Sequence, residues 1–148
     1  MDLKTELYQT AVSTFEEVGF IFLLPEMDDE LLQARLEAAV SIDFDGPSCG
    51  KLVLAVHGGL MPVLAANMLG VDEPPSVDQQ RDALGEIANV VCGNVLPKMA
   101  GKTSVFRITA PRAMDGEELA DCMREGCAAE VQLPLEEGRA DLALFVRQ

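Results

Sequence analysis

The chain contains no tryptophan, one tyrosine and one histidine, and it sets only 11 lysines and arginines against 25 aspartates and glutamates. The resulting net charge of -14 argues against nucleic acid and anionic membrane surfaces as partners, because both would be repelled. Long hydrophobic runs are also missing. The longest lies between Gly19 and Pro25, far short of a membrane span, and no basic leader followed by an apolar core opens the chain. A cytoplasmic protein is expected. Cysteine is sparse and unpatterned: Cys49, Cys92, Cys122 and Cys127 form no C-x-x-C pair and match no zinc finger or ribbon, even with His57 added, so free thiols and no resident metal are expected. His57 ends an apolar run before Gly58 and Gly59 and reads as a hydrogen-bonded histidine at a strand end. No local motif supports a Cys-His or Ser-His nucleophile.

What is present is a core. With 49% hydrophobic residues over 148 positions, the chain is expected to form one globular domain, 1–148, with no solenoid repeat or low-complexity tract. Leu3, Leu7, Ala11, Phe15 and Val18 outline a first helix ending near Gly19, and residues 26–36 read as a loop or short helix. Ala38, Val40, Ile42 and Phe44 alternate with polar neighbours, the pattern of a half-buried strand, whereas Leu52 to Val56 is apolar on both faces and suggests a covered central strand. A short helix from Leu60 to Leu69, a strand from Ser104 to Thr109, a helical turn or two from Glu117 to Arg124, and a hairpin of Ala129 to Leu135 with Ala140 to Val146 follow. This order predicts an α/β (α+β type) fold in which helices cover a mostly antiparallel sheet. The terminal hairpin predicts an edge strand able to pair with a second copy.

The chain is organised around the segment from Ser76 to Gly101. Leu84, Ile87, Ala88, Val91 and Val95 recur at steps of three and four, which marks a helix with one buried stripe. Ser76 is placed to cap its start, Gly101 to stop it, and Pro97 to end or kink it near Leu96. The opposite side carries Asp82, Glu86 and Asn89, the last two projecting from one face a turn apart. Gly85 and Gly93 lie four residues either side of Asn89, leaving room for another backbone to approach, either a partner's or this chain's own.

Asparagine cannot take a proton at neutral pH, so Asn89 can orient a water but cannot act as a general base. Glu86 could be a base, a metal ligand or half of an ion pair, and only Asp82 offers a second titratable group nearby. That is too little for a self-sufficient hydrolase. It suffices where the partner brings an activated phosphoryl group, since such transfer depends on positioning and electrostatics.

The string Glu86-Ile87-Ala88-Asn89, with Asp82 four residues earlier and Gly93-Asn94 following, resembles the E-x-x-N helix of the CheC/CheX/FliY chemotaxis phosphatases. The single motif, the chain length and the element order are similar to the CheX kind. Pro111 falls one residue earlier after the asparagine than in the family pattern, and Pro97 is a second departure. The resemblance implies a phosphatase acting on the aspartyl phosphate of a CheY-like receiver domain. In that reading Asn89 would hold the attacking water, Glu86 would pair with the receiver's lysine, and Asp82, Gly85 and Gly93 would serve docking. The protein would need no cofactor of its own, because Mg2+ would be supplied by the receiver. It also implies a homodimer joined through the sheets. The other reading is a non-enzymatic adaptor or flagellar-switch-type protein that docks a receiver through the same helix.

Overall fold

The computed structural model describes residues 2–147. Six strands, β1 (Leu36–Asp45), β2 (Cys49–His57), β3 (Arg107–Ile108), β4 (Arg112–Met114), β5 (Ala129–Leu135) and β6 (Gly138–Arg147), form one sheet in which every pairing is antiparallel. Their order is β3-β1-β2-β6-β5, with β4 also pairing β1. Five helices, α1 (Leu3–Glu17), α2 (Asp29–Leu32), α3 (Leu60–Leu69), α4 (Val77–Ala100) and α5 (Gly116–Met123), complete the fold. The expected class, helices on a mostly antiparallel sheet, is what the chain adopts.

The main core joins Leu7 and Phe15 of α1, Leu64 of α3, and Leu84, Ile87 and Val91 of α4 to Ile42, Leu52 and Leu54 of the sheet. A smaller cluster on the other face gathers Ala39, Val53, Ala143 and Phe145 with Met114 and with Cys122 of α5. This second layer corrects the reading of β1 as half-buried: Ala39 and Ser41 are buried along with Val40 and Ile42. β2 is covered on both faces, as its composition predicts. The hairpin forms, but β6 lies between β2 and β5, so of its two strands only β5 is an edge. Leu23 bridges Leu135, and the Leu24 N–H donates to the Pro134 carbonyl at 2.7 Å, which covers one end of that edge.

Two further expectations are corrected. The strand placed at Ser104 to Thr109 shrinks to Arg107–Ile108 and is followed by β4, a second short strand on the same edge of β1. The exposed residues of these pieces carry little alternation to read. Pro97 does not end α4, which continues to Ala100 and closes with the Gly101 N–H donating to the Pro97 carbonyl at 2.8 Å. Proline removes the bond to the carbonyl four residues back and crowds it. Here that residue is Gly93, which has no side chain and is exposed, so water can satisfy its carbonyl.

His57 ends β2 as expected, but its buried Nδ1 has no hydrogen-bond partner. Burial, and then the Arg139 guanidinium, hold its pKa below the ordinary 6.5 against the opposing pull of Asp141 and Glu37. The neutral ring is thus the folded form, and its contribution to stability is complete above the unfolded value. That contribution is lost as pH falls through the lower folded value. Between about pH 7 and pH 5, chemical denaturation should show stability falling more steeply for the wild type than for His57→Gln; equal slopes would contradict this assignment.

Candidate functional site on helix α4

Helix α4 starts where the sequence places it. The Ser76 Oγ accepts from the Gln79 N–H at 3.1 Å, and the Gln79 Oε1 accepts from the Ser76 N–H at 2.9 Å. These two reciprocal bonds satisfy amides that the first turn leaves free. From there, Leu84, Ile87, Ala88, Val91 and Val95 are all buried. With 3.6 residues per turn, sequestering that stripe directs Asp82, Glu86 and Asn89 away from the core. Asp82 and Glu86 are exposed and Asn89 is half-buried.

These three side chains line one groove of 680 Å³. It runs between the first half of α4 and the edge of the sheet, where Ala38, Val40, Pro111, Ala113 and Met114 form the opposite wall. Asn89 is therefore part of an open wall and is not enclosed by a loop. Among the described residues, no ion pair or side-chain hydrogen bond within the chain engages Asp82, Glu86 or Asn89. Asp82 and Glu86 are like charges four apart on a helix, an arrangement that costs a few tenths of a kcal/mol and that a cation from outside would relieve.

The two glycines separate. A Cβ on Gly85 would meet the Pro111 ring at 3.2 and 3.3 Å, so the space at Gly85 is filled by this chain's own Pro111. A Cβ on Gly93 would meet nothing within 4 Å, and only there does the surface stay open to a partner. Pro111 reaches the helix because residues 109–111 interrupt the edge strand between β3 and β4. Before the interruption closes, the Thr109 N–H donates to the Asp43 carbonyl at 2.9 Å.

The far end of the groove holds a residue that sequence reasoning missed. The register of β1 against β2 slips between Leu36 and Ala38, a bulge that gives Glu37 an extra position and a new direction. Its Oε1 accepts from the N–H groups of Gly59, Leu60 and Met61 at 2.5–3.3 Å, so this carboxylate caps α3, where the helix dipole favours negative charge. Gly59 takes a φ of 102° there, which glycine adopts without strain. No one-dimensional signal marks a bulge, and Pro111 stands out in the sequence only as a departure in spacing from the family pattern. The groove does not include His57, Cys122 or Cys127. All four cysteines are free, and burial pushes the Cys92 thiol up to about 12. Among the described residues, no three His, Cys, Asp or Glu side chains gather where they could hold a metal ion. No helix among them is long and apolar enough to cross a membrane.

The sequence matches the model of the family described as chemotaxis phosphatase CheX over residues 38–133. A comparison with curated proteins finds no match. Among solved structures, the chemotaxis protein CheX from Desulfovibrio desulfuricans has a TM-score of 0.73 at 11% identity, covering 99% of this chain and 100% of that one. CheX from Vibrio vulnificus gives 0.71 at 17%, covering 99% and 97%. A chain of the CheX–CheY–BeF3–Mg+2 complex from Borrelia burgdorferi gives 0.61 at 14%, covering 99% of both chains. At these identities the structural matches show a shared fold.

The glycine geometry gives a direct test. Gly93→Ala should stabilise the protein by up to about 1 kcal/mol, the helix-propensity difference. Gly85→Ala, crowded by Pro111, should gain nothing or lose stability. Equal gains in thermal unfolding would show that Pro111 does not press on α4.

Proposed function

The chain belongs to the CheX chemotaxis phosphatase family, and on that premise we propose that it hydrolyses the aspartyl phosphate of a CheY-like receiver domain in the cytoplasm. Asn89 orients the attacking water, and Glu86 pairs with the receiver's active-site lysine. The observation that carries this reading is the pair itself: a carboxylate and a carboxamide, a turn apart on one rigid helix, neither engaged within the chain, lining one open groove. A phosphatase of this kind contributes position more than proton transfer. The water oxygen attacks phosphorus, the bond to the aspartyl oxygen breaks, and free carboxylate and inorganic phosphate leave. Asn89 donates to and accepts from the water, fixing its lone pair in line with the breaking bond. The lysine and the magnesium ion belong to the receiver, where magnesium offsets charge on the phosphoryl oxygens. The CheX–CheY complex among the structural relatives supports a receiver as partner.

Docking follows from the same face. Glu86 and Asp82 present unpaired negative charge to a cationic group, and open Gly93 lets a partner backbone approach the turn after Asn89. The part of the β5 edge beyond the Leu23 bridge supports a further element of the proposal, a homodimer joined through paired sheet edges.

The test is phosphate release from a phosphorylated receiver. Wild-type protein should accelerate it, and Asn89→Ala should slow the accelerated rate by on the order of 10² to 10³, the cost of losing one transition-state hydrogen-bond donor. Equal rates would remove Asn89 from the mechanism, and binding without acceleration would identify an adaptor. Glu86→Ala should raise the receiver concentration at half-saturation more than it slows turnover; an unchanged midpoint would contradict the lysine pairing. Sedimentation equilibrium should return twice the mass of the chain, and a monomer mass would contradict the edge-paired dimer.

A further inference from the structure

The groove extends well beyond the two residues that the proposed chemistry uses. Val77 precedes Asn89 by three turns of α4, roughly 18 Å along the axis at 1.5 Å per residue, yet both line the same 680 Å³ space. That volume lies in the range of pockets that enclose whole ligands, far more than a carboxamide and a water require. Away from Asn89 the lining adds apolar surface beside Gln80 and Arg81: Met61 and Met114 are 4% and 9% exposed, Ala113 is exposed, and Val77 is held 61% exposed at the first position of the helix.

The charges of the groove favour one kind of occupant. Of its three carboxylates, Glu37 is already satisfied by three backbone N–H groups. Asp82 and Glu86 are not engaged by the chain, and Arg81 is the only cationic side chain among the described lining residues. Apolar side chains beside two carboxylates that form no ion pair, set against a single arginine, complement a segment that offers an apolar side chain next to a cation.

We propose that the Val77 end of the groove takes a surface loop of the receiver carrying an apolar side chain beside a lysine or arginine. The apolar group enters among Met61, Val77, Ala113 and Met114, and the cation lies against Asp82. This inference rests on the receiver reading above and deepens it: the acyl phosphate is common to all phosphorylated receivers and cannot distinguish them, whereas this contact can. The groove thus selects the receiver while Asn89 acts on it.

The experiment uses the full chain and a receiver loaded with magnesium and beryllofluoride, a stable stand-in for the acyl phosphate. Calorimetry gives Kd, and phosphate release from the phosphorylated receiver gives kcat and KM. Val77→Lys and Ala113→Lys, both at exposed positions, should each raise Kd and KM about tenfold, the scale of a core interface contact, with kcat within about twofold of wild type. Val77→Ser, which removes only the apolar group, should move Kd in the same direction by less. Gln9→Lys, on α1 and outside the groove, should leave Kd unchanged. If Asn89→Ala abolishes acceleration while the groove variants keep wild-type Kd, the selecting role of the groove is overturned and the phosphatase reading stands. If the groove variants lose affinity but the wild type accelerates nothing, the groove stands and the phosphatase reading falls. A wild type that binds none of the phosphorylation-mimicking receivers from its own organism overturns both.

Discussion

The burial of one stripe of helix α4 is the constraint on which the remaining features depend. Leu84, Ile87, Val91 and Val95 are fully buried against the sheet and its flanking helices, and each such side chain contributes roughly 1.5–3 kcal/mol relative to exposure. The costs carried by the same helix are smaller in sum: about 1 kcal/mol for each internal glycine and about 3 for Pro97, and a few tenths for the like-charged Asp82 and Glu86. Packing wins. A helix locked along one side cannot rotate, so Glu86 and Asn89 are held outward without any bond of their own.

The groove is made by what the rest of the chain brings to that outward side. Pro111, lifted from the edge of the sheet between β3 and β4, closes on Gly85 and sets the spacing between helix and sheet. The bulge at Glu37 turns a carboxylate onto the start of α3, which anchors the helix carrying Met61. Neither contact reaches a partner directly. Both set the shape of the surface that would meet one.

The parts of the molecule that were legible in the sequence are those written in a local period or cap. The stripe of α4, its Ser76 start and Gly101 stop, the covered β2 and the terminal hairpin all follow from residue spacing, as does the placement of Asp82, Glu86 and Asn89 on one face. What escaped depends on contacts distant in the chain. The burial of Ala39 needs Met114 of β4 and Cys122 of α5, both distant in the chain, and β4, with 3 residues, is too short to show alternation. Pro97 passes through the helix at a point where the carbonyl it leaves without a donor belongs to the exposed Gly93. The function of Gly85 reads in two ways from sequence, partner or own chain, and only the position of Pro111 separates them. The groove is legible in no single stretch, since its walls come from β1, α3, α4 and the Pro111–Met114 segment.

The central claim is that a carboxamide fixed on a rigid helix completes a hydrolytic site borne by another protein. Its most direct measurement is a crystal structure of this protein bound to a magnesium–beryllofluoride receiver. The account predicts the Asn89 side chain facing the beryllofluoride from the side opposite the aspartate, at hydrogen-bond distance from an in-line water, with Glu86 paired to the receiver's lysine. A complex in which α4 faces away from the receiver's acidic site, or in which Asn89 contacts neither water nor fluoride, would contradict it.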